Sequence, residues 1–342
     1  MTNAAVDAER ALSTARERGD PDALAEALAV HANTLVQTGQ LTKAREEIDE
    51  VAAIHRERGR HDDEARYTTL AATVSRLSGD LEGAKERATR VLDLAPSGSD
   101  LVAAATSELV DVALAEQRPD EVASLTKRVL TSATTGLAAT VRASLLRKRA
   151  AALASMGRVD EAVTDLTDAL TQLQQAGEGA AARRTMVELA TLLQQRNVEA
   201  AERVREKAMS DAREANDQAV VADLRLLETT AAVTRGDVEG ALAAAREARD
   251  AALAGVSPVA YTSAAATISR LADTQGDRVG AYEALAVGWV TLRDLMGDAL
   301  ARRTFEPALL ALRSRWGETA FDAVKAEYEA RRRSELSRSR SR

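Results

Sequence analysis

The chain has no cysteine among its 342 residues. That removes disulfide bonds, thiolate metal sites and thiol nucleophiles together. It has eight aromatic residues and five prolines, and few β-branched runs, which leaves little from which to build a sheet. No apolar run approaches membrane-spanning length, and the opening MTNAAVDAERALSTARERGD carries acids and arginines where a signal peptide needs a continuous apolar core. Charge is not gathered in one place either. The formal net charge of -7 is spread over intermingled acids and bases, which favours solubility and leaves no sequence-wide nucleic-acid footprint. These absences predict a cytoplasmic protein that touches neither membrane nor nucleic acid.

What is present is alanine, at 73 positions. Alanine is the best helix former, and the class expected is all-α. Arginine outnumbers lysine 40 to 6, which points to a GC-rich bacterial genome and says nothing of function.

The segment GDLEGA at 79–84 returns along the chain as GQLTKA (39–44), GRVDEA (157–162), GDVEGA (236–241) and GDRVGA (276–281), with weaker copies QRPDEV (117–122) and RNVEAA (196–201). The starts are Gly39, Gly79, Gln117, Gly157, Arg196, Gly236 and Gly276, with Gly317 an eighth candidate, so the period is close to 40 residues. Five places after each start stands Ala44, Ala84, Val122, Ala162, Ala201, Ala241 or Ala281, a small or compact residue in the first turn of a helix, where a neighbouring helix can come close. A second lattice lies half a period away: Gly19, Gly59, Gly98, Gly136, Gly177, Asn216, Gly255 and Gly297. Glycine or asparagine just past a helical run predicts a left-handed C-terminal cap. Each unit is then a helical hairpin. A phosphate-binding turn would need GK[ST] or GxGxxG after a strand, and neither is present.

These units resemble tetratricopeptide repeats. GDLEGAKERATRVLDLAP at 79–96 carries the resemblance best, with Gly79, Ala84, Ala88, Val91 and Pro96 where that family places glycine, small or core residues and the terminating proline. The large aromatics of the family's first helix are replaced here by Leu, Ala or Thr, and the period is longer, as in bacterial regulator sensor arms and kinesin light chains. The resemblance implies an α-α superhelix, a solenoid of stacked antiparallel hairpins whose first helices line an inner groove. The expected organisation is an N-terminal helix (1–19), seven hairpins (20–297), an atypical capping hairpin (298–333) and a disordered Arg/Ser tail (334–342).

Reactive chemistry is sparse. His55 and His61, with Asp62 and Asp63, have no recognised ligand spacing, HExxH and GxSxG are absent, and adjacent acids such as Glu46 and Glu47 point apart on a helix. The expectation is a protein that is not an enzyme and has no cofactor and no metal. On the family's geometry the groove is lined by Asn33, Gln37, Arg66, Thr69, Thr73, Arg76, Ser107, Asp111, Ser144, Arg147, Thr230, Thr234 and Arg270. Each is also explained as a solvated helix face. Together they could hydrogen-bond an extended segment of a partner protein and pair with its carboxylates, so the partner predicted is a protein or peptide segment, acidic where Arg66, Arg76 and Arg147 meet it. Asn33 stands where chaperone-tail-binding members carry a clamp asparagine, without the clamp lysines. Seven of the eight aromatics follow residue 260; Trp289, Phe305, Trp316 and Phe321 among them either close the end of the array or form a homodimer or partner interface. The function expected is an interaction scaffold. The alternative is a peptide- or small-molecule-sensing regulator acting through a partner chain.

Overall fold

The computed structural model describes residues 3–96, 99–132 and 137–340. Among them are seventeen helices and no strand: α1 (Asn3–Arg18), α2 (Pro21–Gln37), α3 (Leu41–Glu57), α4 (His61–Leu77), α5 (Leu81–Leu94), α6 (Asp100–Ala115), α7 (Pro119–Ser132), α8 (Ala139–Ser155), α9 (Val159–Gln175), α10 (Gly179–Leu193), α11 (Val198–Glu214), α12 (Gln218–Thr234), α13 (Val238–Ala254), α14 (Pro258–Thr274), α15 (Arg278–Met296), α16 (Asp298–Trp316) and α17 (Glu318–Arg340). The chain divides into two compact units, Met1–Gly179 and Ala180–Arg342. Successive helices pack against one another from α1 to α9 in the first unit and from α11 to α17 in the second, and alternate helices also meet: α4 with α6 and α6 with α8 in the first, α12 with α14 and α15 with α17 in the second. Each unit is therefore a two-layered stack of helical hairpins.

The repeated motif explains the joints. Gly39, Gly79, Gly157, Gly236 and Gly276 all have φ between 75° and 85°, the left-handed region that glycine enters without steric cost. The residue after the glycine back-bonds across the turn, as when the Gln40 amide donates to the Leu35 carbonyl at 2.9 Å, which satisfies a carbonyl at the helix end. The acid of GDLEGA then caps the following helix. Asp80 accepts from the Gly83 amide at 3.0 Å, Asp237 from Gly240 at 2.8 Å and Asp277 from Gly280 at 2.9 Å. A carboxylate already holds the amides that a phosphate would need. The motif alanines lie where the helices close on one another: Ala44, Ala84, Ala162, Ala241 and Ala281 are fully buried, as is Val122, and Ala201 is nearly so.

Two positions of the lattices are not tested and two depart from them. Gly98 and Gly136 lie outside the described residues. Arg196 is not left-handed, because α10 stops early at Leu193 and Asn197 caps α11 through the Ala200 amide at 2.9 Å. Gly255 was expected to be the cap, but its φ is -86° and the left-handed residue is Val256, at 51°. Gly255 serves a different need. A Cβ there would sit 2.5 Å from the Ala219 amide nitrogen, so glycine lets the end of α13 approach the start of α12. Val256 is exposed and β-branched in a region that disfavours it. Val256→Gly should therefore raise stability by about 1 kcal/mol, read by urea or thermal unfolding. An unchanged or lower midpoint would show that the turn carries no strain.

The tail is also a correction in part. Residues 334–340, expected to be disordered, continue α17, since Arg, Ser, Glu and Leu with no glycine or proline offer nothing to stop a helix; residues 341 and 342 lie outside the described residues. No helix among the described residues is long and apolar enough to cross a membrane.

Candidate functional site

The first helices of the hairpins in the leading unit, α2, α4, α6 and α8, carry most of the residues expected in the groove. Along α4, Arg66, Thr73 and Leu77 fall on one stripe with Leu70, at steps of three and four residues. The same stripe on α2 carries Val30, Asn33 and Gln37. Ala32 and Leu35 of α2 and Ala71 and Val74 of α4 share one core cluster with Ala44 and Ile48 of α3. Asn33, Gln37 and Arg66 are exposed, and Arg66 has no hydrogen bond or ion pair among the described residues. Val30, Leu70 and Leu77 are large aliphatics left 54%, 45% and 56% exposed.

One step along, the face changes character. The Arg76 guanidinium donates to Glu108 at 2.8 Å and lies 3.8 Å from Asp111. The Thr73 hydroxyl reaches the other Glu108 oxygen at 2.9 Å. From α8, the Lys148 ammonium donates to Ser107 at 2.7 Å and to Asp111 at 2.8 Å. A half-buried network thus ties α4, α6 and α8 together, and the Glu108 hydrogen bond raises the Arg76 pKa further above its already high value. Arg76 is spoken for within the chain. Thr69 bonds back to the Ala65 carbonyl at 2.8 Å, and Ser144 and Arg147 are half-buried on α8. Thr230, Thr234 and Arg270 are exposed on α12 and α14 of the other unit, with both threonine hydroxyls bonded back to Leu226 and Thr230 carbonyls.

The sequence reading missed Val30, Leu70, Glu108 and Lys148. All four stand nine residues before a joint, at Gly39, Gly79, Gln117 and Gly157, so the repeat itself contained the signal. The stripe of a helix face runs thirteen, nine, six and two residues before each joint, and these four residues occupy the second of those places.

No protein-family model matches the chain. No curated protein matches it either. Among solved structures it is similar to the apo form of RapI, at 11% identity with a TM-score of 0.65 over 86% of this chain and 80% of that one. It is similar to BtubC from P. vanneervenii, at 20% identity and 0.56 over 62% of this chain and 91% of that one. A third, a Rap protein complexed with competence and sporulation factor, is 12% identical with a TM-score of 0.53 over 90% of this chain and 96% of that one. The fold is that of tetratricopeptide-type repeat proteins.

In this tetratricopeptide-type array the late aromatics mostly close an end. Phe305 is 1% exposed, packed with Ala265, Leu285 and Leu292, which corrects its assignment to a surface. Trp316 donates its indole N–H to Asp273 at 2.7 Å, and the Arg278 guanidinium lies over its ring at 5.7 Å. Phe321 meets Tyr282 edge-on, with ring centroids 5.5 Å apart. Trp289 and Phe321 remain half-buried against the same core.

The array also buries charge. Asp165 accepts two hydrogen bonds from Arg149, at 2.6 and 2.5 Å, beside a 520 Å³ cleft between α7, α8 and α9. Glu64 is 1% exposed and accepts from Arg90 at 2.7 Å and Arg56 at 3.0 Å. Burial alone would raise its pKa, but the hydrogen bonds and charges of Arg90 and Arg56 together outweigh that and hold it below the usual carboxylate value. A depressed folded pKa contributes stability above the unfolded value and loses it as the pH falls through the folded one. Wild type should thus lose stability faster than Glu64→Gln on acidification below about pH 4.5, the unfolded value. Parallel pH profiles of the unfolding midpoint would contradict this. His31 bonds Glu47 at 2.8 Å and His55 stacks on Tyr67 at 5.3 Å, while no group of three or more metal-ligating side chains gathers among the described residues.

Proposed function

We propose that the chain is a non-enzymatic interaction module that holds a segment of a partner protein on the face shared by α2 and α4. The observation that carries this is the set of exposed aliphatics Val30, Leu70 and Leu77 beside the unpaired Arg66, on α2 and α4 of a unit in which Arg76 and Lys148 of the same expected groove are neutralised internally. Apolar side chains of the segment would cover the three aliphatics, Asn33 and Gln37 would bond its backbone, and one carboxylate would pair with the Arg66 fork. The acidic requirement is thereby reduced from three arginines to one.

The alternative, a sensor that acts through another chain, has in its favour the fold likeness to a Rap protein complexed with competence and sporulation factor. At 12% identity that likeness carries the fold and not the ligand. Selection of binding peptides from a random display library against the purified protein, followed by calorimetry, tests the leading reading. Selected peptides should carry aliphatic residues and a carboxylate, and Arg66→Glu or Leu70→Glu should weaken them at least tenfold. Peptides indifferent to both substitutions would place the binding surface elsewhere.

A further inference from the structure

Between α1 and α2 lies a second surface, which meets the first at Val30 and otherwise uses residues that the proposed function does not. A groove of 510 Å³ runs between α1 and α2, lined on α1 by Asp7, Ala11, Thr14 and Arg18, and on α2 by Ala27 and Val30. Among the described elements α1 packs closely only on α2, so nothing covers the groove. Its floor is apolar and small. The Thr14 hydroxyl is already bonded to the Arg10 carbonyl at 3.0 Å, which leaves its methyl free to pack.

The rim is what identifies the occupant. Asp7, Arg10, Arg18 and Glu26 surround the floor, and none of the four has an ion pair among the described residues. Elsewhere in this unit arginines are generally matched: Arg45, Arg56, Arg58, Arg60, Arg76 and Arg87 all pair with carboxylates. Two unpaired charges of each sign around one floor make a surface that is neutral as a whole and complementary to itself when turned over. A partner of one dominant charge would leave half the rim opposed.

We propose that this surface pairs with the same surface of a second copy, with α1 antiparallel to α1 about a two-fold axis between Ala11 and Thr14. Residues 7, 11, 14 and 18 form one stripe of α1, at steps of four, three and four. Turned about the midpoint, Asp7 of one copy meets Arg18 of the other at both ends, while Ala11 and Thr14 cross in the middle, where small side chains let the helices approach closely. A two-fold interface requires this reciprocity, since each residue and its contact must exchange places. Two helices of roughly 25 Å bury a surface at the small end for stable interfaces, so a dimer of micromolar affinity follows.

Sedimentation velocity of the full chain across a dilution series, from micromolar to hundreds of micromolar, tests this, with circular dichroism confirming the fold of each variant. Wild type should show a concentration-dependent dimer. Ala11→Arg, at an exposed position, should weaken it at least tenfold. Asp7→Arg and Arg18→Asp should each weaken it several-fold, and the double variant should return to within about threefold of wild type, which only a reciprocal pairing produces. A monomer at every concentration would overturn the proposal and leave the groove to a different helix. So would a dimer that ignores Ala11→Arg, or that breaks only on changes at Trp316, or a double variant as weak as the singles.

Discussion

Phe305→Ala should lower the stability of the cooperative unit that contains α14 to α16 by about 3–5 kcal/mol, the largest effect expected of any single truncation in this chain. Phe305 is the bulkiest of the fully buried side chains. Its ring fills the space between Leu285, Leu292 and Ala301, and three small neighbours, Ala265, Gly288 and Ala301, give it room. The last of these relations is measurable. A Cβ on Gly288 would lie 2.7 Å from the Phe305 ring, too close for any real contact, and α15 and α16 would have to separate. Gly288→Ala alone should therefore destabilise by about 1–3 kcal/mol. In the Phe305→Ala background the same change fills part of the cavity and should be neutral or favourable. Chemical denaturation of the four proteins gives the coupling energy directly. Additive losses would mean that the ring and the glycine do not meet.

The second large effect concerns the joints. Ala84→Leu and Ala162→Leu should each cost about 1–3 kcal/mol, because both positions are completely buried in the first turn of a second helix, where the preceding helix lies against it. A methyl fits and an isobutyl group does not. The control is Ala151→Leu, at an exposed position of α8, which should change stability by no more than about 0.5 kcal/mol. Unchanged unfolding midpoints for both buried variants would contradict the register on which the hairpin assignment rests. Because neighbouring hairpins hold one another, the loss should extend to adjacent repeats, seen as faster amide exchange in α4 and α6 for Ala84→Leu.

Much of this protein was written in its local spacing. A glycine with positive φ, an acid immediately before the helix and an alanine four further on are short-range requirements of one turn, so a pattern such as GDLEGA announces itself wherever it recurs. Composition likewise favours the helices found over any sheet, since helix propensity acts residue by residue. The surface chemistry was less legible for a physical reason. Arg76 and Arg66 are the same residue type on the same helix, α4, yet Arg76 is held by Glu108 and Asp111 from α6 while Arg66 faces none. That difference depends on which side chain of the next hairpin lies opposite, across more than 30 residues of sequence. Gly255 and Val256 divide in the same way. Their order shows that a turn is there, but which of them takes the left-handed conformation was decided by the start of α12, whose backbone leaves no room for a Cβ on Gly255. Period and joints follow from contacts within a turn of chain, whereas pairing, burial of Phe305 and the freedom of Arg66 follow from contacts between hairpins, which only the packed structure brings together.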